Sequence, residues 1–175
     1  VENLYGVESD GSKAEKQNLL PLGFSITYRK NRPFPHTLHL VPKTVVLGIG
    51  CKRGTEAESI RALIRETLEQ NQIFKESICL IASIDLKKDE EGIRICAEEL
   101  GVPFVTWSAE ELEQVRSEDG FTESEFVRSV AGVGNVCERS ALKGAGTSRL
   151  LIRKTAHNGV TVAAAVKDYT VCMED

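Results

Sequence analysis

The residues with the clearest chemical potential follow three short apolar stretches of the sequence. The first loop reads GCKRGT over residues 50–55, the second contains Asp85, and the third begins at Trp107. If the apolar stretches are parallel strands, all three loops meet at one edge of a sheet, where open α/β folds bind their ligands. Lys52 and Arg53 favour an anion at this edge. The sequence therefore predicts an anion-binding edge.

The glycines of the first loop support this site but also have a simpler interpretation. Gly48, Gly50 and Gly54 would let a ligand approach the backbone closely, and a helix starting at Thr55 would point its free N–H groups at the same place. The alternative is that Gly48 and Gly50 only allow a tight turn between strand and helix. The sequence leaves both interpretations open.

The same glycines disfavour a nucleotide site. Gly48, Gly50 and Gly54 form the pattern G-x-G-x-x-x-G, which is one residue longer than the dinucleotide-binding pattern. Asp85, the acidic residue after the second strand, lies further along than the roughly 20 residues of that pattern. The order Arg53-Gly54-Thr55 also differs from the Gly-Lys-Ser/Thr of a P-loop. A nucleotide-dependent enzyme is therefore the weakest of the alternatives.

Three side chains are candidates for catalysis. Cys51 lies in a basic loop before a predicted helix, and both conditions lower the pKa of a thiol. Asp85 or Glu138 could act as a general base. Each has a simpler interpretation, because free cysteine is usually buried and carboxylates are usually solvated or cap a helix. No base–nucleophile pair is recognisable from the spacing.

The elements that must position these residues follow from the apolar pattern. Continuous apolar runs at residues 45–49, 78–82 and 104–107 predict buried strands. Helical spacing of apolar residues after each run predicts a strand–helix alternation, and therefore a largely parallel sheet. The sequence Asn158-Gly159 between two β-rich segments predicts an antiparallel hairpin at the end. We expect a three-layer α/β domain with helices on both faces of the sheet.

Three helix starts are predicted from capping boxes, in which a Ser or Thr is followed three residues later by Glu. These pairs are Thr55 with Glu58, Ser108 with Glu111, and Thr122 with Glu125. A further helix is expected over residues 136–142.

The beginning of the chain differs from the rest. Pro21, Pro33, Pro35 and Pro42 interrupt short apolar stretches there, and proline disfavours regular structure. We interpret residues 1–36 as a linker or the remnant of a preceding region. Residues 37–175 are interpreted as the α/β domain, with residues 37–41 as an extended arm.

The composition excludes several classes of function. The chain has 175 residues, of which 41% are hydrophobic and 27% charged, and its net charge is −4. Broad nucleic-acid binding needs a cationic face, and a membrane span needs about 20 apolar residues in a row. The five cysteines form no C-x-x-C pair and VENLYGVESDGSK does not resemble a signal peptide. We expect a cytoplasmic protein with reduced thiols and neither nucleic-acid nor membrane partners.

Four motifs of the chain occur in the same order in a known family. They are LGIGCKRGT, ASIDLKKDE, VCERSAL and the hairpin NGVTVAAAV, preceded by TLHLVPK. This succession resembles the C-terminal domain of the cobalt-precorrin-5A hydrolases, the CbiG family, and the related stand-alone CobE proteins. The resemblance covers residues 37–166.

The resemblance implies a cytoplasmic enzyme of anaerobic cobalamin biosynthesis. The family opens a δ-lactone on a cobalt-containing tetrapyrrole and releases a two-carbon fragment as acetaldehyde. Since the substrate carries the cobalt, no separate cofactor and no protein-bound metal are implied. The implied partners are the tetrapyrrole, other enzymes of the pathway, and the N-terminal domain of full-length members, which we expect this sequence to lack.

The family motifs and the loop argument together give the predicted site. The substrate-binding residues are Gly48, Gly50, Lys52, Arg53, Gly54, Thr55, Ser83, Lys87, Glu90, Gly159 and Thr161. The catalytic candidates Cys51, Asp85 and Glu138 fall in the same motifs. Two functions remain open: part of a hydrolase, or a non-catalytic module that binds or assembles corrinoids.

Overall fold

A computed structural model describes residues 22–171, and its centre is a five-stranded mixed sheet. The strands are β1 Leu22–Ile26, β2 His36–Leu40, β3 Val45–Cys51, β4 Ile78–Ile84, β5 Phe104–Trp107, β6 Leu150–His157 and β7 Val160–Val166. The helices are α1 Ala57–Gln70, α2 Glu91–Leu100, α3 Ala109–Glu113, α4 Glu125–Ala131 and α5 Cys137–Ala145. Short 3-10 turns precede and follow β4, at Lys75–Ser77 and Asp85–Lys87. No helix within residues 22–171 is long and apolar enough to cross a membrane.

The strand order of the main sheet is β5-β4-β3-β7-β6. β3 is central, and β3, β4 and β5 run parallel to one another. β7 pairs with β3 in the antiparallel sense, and β6 pairs with β7. The predicted parallel sheet with a C-terminal antiparallel hairpin is confirmed. The hairpin joins the sheet directly beside its central strand, so the complete sheet is mixed.

Helices cover both faces of the sheet, as predicted. α1 and α2 pack on one face, where Leu47, Ile49 and Ile81 are fully buried in the largest apolar cluster. α5 packs on the other face against β3, β4 and β7. The alternate side chains of β3, such as Val46, therefore face α5 and its neighbours.

The turn between β6 and β7 has the geometry that the sequence indicates. Asn158 and Gly159 both have positive φ angles, of 50° and 80°. This conformation suits the twist of a two-residue hairpin, and asparagine and glycine tolerate it best. The hairpin prediction is confirmed.

One of the three predicted capping boxes is present. The Ser108 hydroxyl accepts a hydrogen bond from the Glu111 N–H, and the Glu111 carboxylate accepts one from the Ser108 N–H. The box at Thr55 is wrong: α1 begins at Ala57, and the Thr55 hydroxyl instead donates to the Lys52 carbonyl at 2.7 Å. The N-cap of α1 is therefore Glu56, one residue beyond the predicted Thr55.

The predicted cap at Thr122 is also wrong. Ser124 caps α4, and its hydroxyl accepts a hydrogen bond from the Val127 N–H at 3.3 Å. Thr122 instead donates from its backbone N–H to the carboxylate of Glu138, 2.9 Å away. Ser124 lies two positions after Thr122 and caps the helix, because the long-range contact with Glu138 engages Thr122.

The described part of the predicted linker contains a strand. β1 pairs in parallel with β2 to form a two-stranded ribbon, which comprises Leu22–Ile26 and His36–Leu40. Beyond β1, Arg29 forms a β-bridge with Ile73, and Tyr28 packs against the main core. Residues 1–21 of the predicted linker lie outside the described residues, and the domain boundary stays a prediction.

Candidate functional site

Glu90 joins the loops that follow β3 and β4. The residue is 8% exposed, and its carboxylate accepts hydrogen bonds from the Gly54 N–H and from the Lys87 ammonium, the latter at 3.0 Å. Burial raises the pKa of Glu90, but the hydrogen bonds from Lys87 and Gly54 outweigh it, so the pKa lies below the usual value. Glu90 is therefore ionised at neutral pH and fixes the first loop against the second.

The hairpin turn contacts the first loop from the other side. The Lys52 N–H donates to the Gly159 carbonyl at 3.2 Å, and the Thr161 hydroxyl donates to the Gly50 carbonyl at 3.2 Å. The end of β3 is therefore held between the hairpin and the second loop, and Gly159 and Thr161 lie next to the predicted anion site.

The tip of the first loop is the cationic part of the site. Lys52, Arg53 and Gly54 are exposed, and Thr55 is half-buried. Gly54 has a φ of +71° and open space around it, which allows the loop to turn back so that its N–H reaches Glu90. Two positive side chains are thus presented to solvent beyond the end of β3.

Gly48 and Ser83 lie in the interior beneath this edge. A methyl group on Gly48 would lie 1.8 Å from the carbonyl oxygen of Cys137, so the glycine allows α5 to approach β3. The Ser83 hydroxyl is buried and donates to the Ile49 carbonyl at 2.7 Å. Both residues support the edge from below instead of forming its surface.

A cleft of about 520 Å³ opens between the second loop, the start of α3 and the end of α4. Asp85, Lys88, Asp89 and Ser108 supply polar groups to it. Leu86 and Val130 also line it, and they remain 58% and 64% exposed. The cleft therefore combines apolar walls with two carboxylates and an ammonium.

Cys51 does not have the lowered pKa that its position predicts. The side chain is half-buried, and this burial raises the pKa of the thiol; the charge of Lys87 opposes the effect and that of Glu90 adds to it. The thiol is therefore mostly protonated at neutral pH.

Glu138 is fully buried and its carboxylate is saturated with hydrogen bonds. It accepts from the N–H and hydroxyl of Thr122, from the side-chain amide of Asn135, and from the Lys154 N–H at 2.8 Å. This arrangement ties the start of α5 to β6 and to the segment before α4. The geometry is that of a buried structural carboxylate.

The three catalytic candidates are not brought together. Cys51 lies beside Lys87 and Glu90, Asp85 lines the cleft, and Glu138 is enclosed by its own donors. No hydrogen bond joins any two of the three candidates.

Two features of the site have no local sign in the sequence. Val130 lines the cleft from α4, and the segment before α4 connects this helix to α3. Arg139 holds this segment: it donates to the carbonyls of Leu112, Glu113 and Val115, pairs with Glu123 at 2.9 Å and stacks 4.0 Å above the Phe121 ring. All these partners are at least 16 positions away in sequence, so local spacing cannot reveal them.

A larger cavity lies away from the predicted loops. It has a volume of about 800 Å³ and lies beside α1, the end of α2 and the turn before β4. Its rim carries charges of both signs, including Arg61, Arg65, Glu69 and Glu99. Arg61 is paired with Glu99 at 2.6 Å, so cationic and acidic side chains contact each other at this rim.

The fold and the edge together define a three-layer α/β domain with a cationic loop and a cleft at the carboxyl ends of its parallel strands. The family described as "Cobalamin synthesis G C-terminus" matches residues 45–165. The chain belongs to this family, and thus to the proteins of cobalamin biosynthesis.

A curated relative and two solved structures agree with this family. The chain is 34% identical over 128 residues to the cobalt-precorrin-5A hydrolase of Priestia megaterium, which covers 73% of this chain and 33% of that protein. The crystal structure of CobE, a protein from the cobalamin biosynthetic pathway, matches with a TM-score of 0.65 and 31% identity over 71% of this chain and 91% of CobE. A cobalamin biosynthesis protein G homologue from Sulfolobus solfataricus matches with a TM-score of 0.58 and 26% identity over 94% of this chain and 50% of that one.

The chain spans between a third and a half of the length of the curated hydrolases that it matches. It covers nearly all of the CobE chain in the solved structure. The matched region is therefore one domain of the longer proteins and almost the complete CobE fold.

Proposed function

We propose that the chain is the corrinoid-binding C-terminal part of a cytoplasmic cobalt-precorrin-5A hydrolase. The observation that carries this proposal is the combination of family membership with an exposed cationic loop beside a cleft of mixed character. The alternative is a non-catalytic module that binds or assembles corrinoids, as the similarity to stand-alone CobE would also allow.

The chemistry of a cobalt precorrin fits the surface at this edge. Such a molecule carries carboxylates around a ring with apolar faces. Lys52 and Arg53 can pair with the carboxylates through charge-assisted hydrogen bonds. Leu86 and Val130, exposed on the cleft walls, can contact the ring. The cobalt belongs to the substrate, so the proposal assigns no metal ligand to the protein.

The side chains of this edge are better suited to binding than to lactone hydrolysis. Opening a lactone needs an activated water or nucleophile. Cys51 is mostly protonated, and the oxygens of Glu138 are occupied by four donors. Asp85 shares the cleft with Asp89 and Lys88, and the residues that line the cleft include no histidine or cysteine that could act with it on a lactone. The proposal therefore assigns activation of water to another part of the hydrolase.

Replacing Arg53 by glutamate should weaken corrinoid binding. Loss of a charge-assisted hydrogen bond costs about 1.5 to 3 kcal/mol, so the Kd for cobyrinic acid should rise roughly ten- to a hundredfold. Because Arg53 is exposed, the melting temperature should stay nearly unchanged. The titration is followed through the visible spectrum of the corrinoid.

The matched control for this experiment is Arg65→Glu. Arg65 is also exposed, but it lies on α1 at the rim of the larger cavity. The control makes the same change in charge and should leave the affinity unchanged. Equal loss of affinity in both variants would show general charge attraction, and no loss with Arg53→Glu would place the site elsewhere.

The chain alone should bind a cobalt-precorrin substrate but release little or no acetaldehyde. The physical reason is that Cys51 is mostly protonated and that the lining of the cleft around Asp85 includes no histidine or cysteine. Acetaldehyde is measured with an NADH-coupled alcohol dehydrogenase, and full-length Priestia megaterium hydrolase is the positive control. Robust release by this chain that is abolished by Asp85→Asn would show that the chemistry resides in this domain.

A further inference from the structure

The ribbon presents one apolar face to solvent. Leu22 and Phe24 on β1 are 79% and 54% exposed, and Leu38 and Leu40 on β2 are 61% and 48% exposed. The register places Phe24 opposite Leu38, with Leu22 and Leu40 at alternate positions of the same strands. Since alternate residues of a strand share a face, these four side chains form one surface, the ribbon face.

Such a surface is unusual for parallel strands. Parallel sheets are normally covered on both faces, and a two-stranded sheet is at best marginally stable in water. In soluble proteins, a contiguous patch of large exposed apolar side chains marks an interaction surface. The ribbon therefore has the character of an element that is covered by another part of a larger assembly.

The ribbon is fixed to the domain at its inner end. The Phe74 N–H donates to the Tyr28 carbonyl at 2.9 Å, and the Lys30 N–H donates to the Gln72 carbonyl at 2.7 Å. On the other face of the ribbon, the ring of His39 packs 5.0 Å from the ring of Phe74. These contacts hold one face against the domain and leave the ribbon face open.

The comparisons indicate which partner covers the ribbon face. The match with the Sulfolobus solfataricus homologue covers 94% of this chain, which leaves about 10 of the 175 residues unmatched, fewer than the 19 residues of the segment 22–40 that holds the ribbon. The match with CobE covers 71%, close to the share spanned by the family match, which begins at residue 45 after the ribbon. The match with the longer Sulfolobus solfataricus protein therefore extends into the ribbon, although this chain covers only half of that protein.

We propose that the ribbon face docks against the part of a cobalt-precorrin-5A hydrolase that precedes the matched C-terminal domain. The inference rests on family membership and on the apolar surface, and is independent of where the corrinoid binds. β2 leads into the amino end of β3, whereas the cationic loop and the cleft lie at the carboxyl ends of the parallel strands. The docked part would therefore meet the domain at the edge opposite the cationic loop.

The docking is tested with Leu38→Asp in this chain and with the portion of the Priestia megaterium hydrolase that precedes the match, once that portion shows a cooperative melting transition of its own. Wild-type chain should form a one-to-one complex by light scattering, and Leu38→Asp should raise its Kd at least tenfold. Leu86→Asp is the matched control, because Leu86 is 58% exposed and lies at the opposite edge. This control should bind like the wild type.

Three results would overturn the proposal. They are the absence of a complex, equal weakening by both variants, and a dimer of this chain alone that Leu38→Asp dissolves, which would make a second copy the occupant. If Leu38→Asp does not melt like the wild type, Leu22→Asp at the outer end of the ribbon replaces it. Corrinoid titration of the same variants separates the two proposals, since ribbon substitutions should leave corrinoid affinity unchanged.

Discussion

Gly48→Ala should lower the free energy of unfolding by more than about 3 kcal/mol. The added methyl group would lie 1.8 Å from the Cys137 carbonyl oxygen and 2.7 Å from the Ala141 backbone nitrogen. Both obstacles are backbone atoms of α5, so no side chain can rotate away. The helix would have to move away from β3 by more than 1 Å, against a closely packed interior.

The measurement is urea unfolding of the variant beside Gly120→Ala. A methyl group on Gly120 meets no atom within 4 Å, and only its φ of +69° opposes alanine. A cost of about 1 to 2 kcal/mol is expected for that control. Similar stabilities of the two variants would contradict the close approach of α5 to β3, and with it the view that Gly48 serves packing.

The strands and the hairpin could be predicted because their signals are local. A continuous apolar run such as residues 45–49 is required when both faces of a strand are covered, and the Asn158-Gly159 pair suits one turn geometry above others. The order of these elements was enough for the three-layer architecture. The direction in which β7 joins β3 depends on contacts between distant segments, so the sequence pattern predicted the hairpin without its place in the sheet.

The helix starts at Thr55 and Thr122 could not be predicted because several residues compete for the same local role. Thr55 bonds to the carbonyl three residues earlier, and Ser124 replaces Thr122, which is engaged by Glu138. β1 was missed for a different reason. Its apolar residues alternate with Gly23 and Ser25 between prolines, and its exposed face lacks the buried pattern of a core strand.

The candidate site was predicted in outline only. The cationic loop follows β3 and the loop that contains Glu90 follows β4, at the edge that the strand-end argument predicts. The argument could not distinguish residues at the surface of the edge from residues beneath it, such as Ser83, because both follow the same strands. The sequence also proposed both Asp85 and Glu138 as general bases, although Asp85 is exposed and Glu138 is fully buried.

Glu138→Gln should destabilise the domain by about 3 to 5 kcal/mol. The carboxylate accepts four hydrogen bonds in a fully buried position, and an amide can accept on one side only. The NH₂ group of the glutamine would face two further donors, from either Thr122 and Lys154 or Thr122 and Asn135. Buried donors without an acceptor lower the stability of the folded state. The start of α5 would also lose its connection to β6.

The same variant distinguishes a structural role of Glu138 from a catalytic one. A general base replaced by its amide would lose turnover while the melting temperature stayed close to that of the wild type. A structural carboxylate would show a large fall in stability, with corrinoid binding retained at temperatures where the variant is still folded.

Glu98→Gln is the control, since Glu98 is exposed on α2 and should change stability by less than about 0.5 kcal/mol. Because the four donors come from three separate segments, the fall in stability should extend to the whole cooperative transition. A stable Glu138→Gln variant would contradict the hydrogen-bonded geometry and return Glu138 to the candidates for the base.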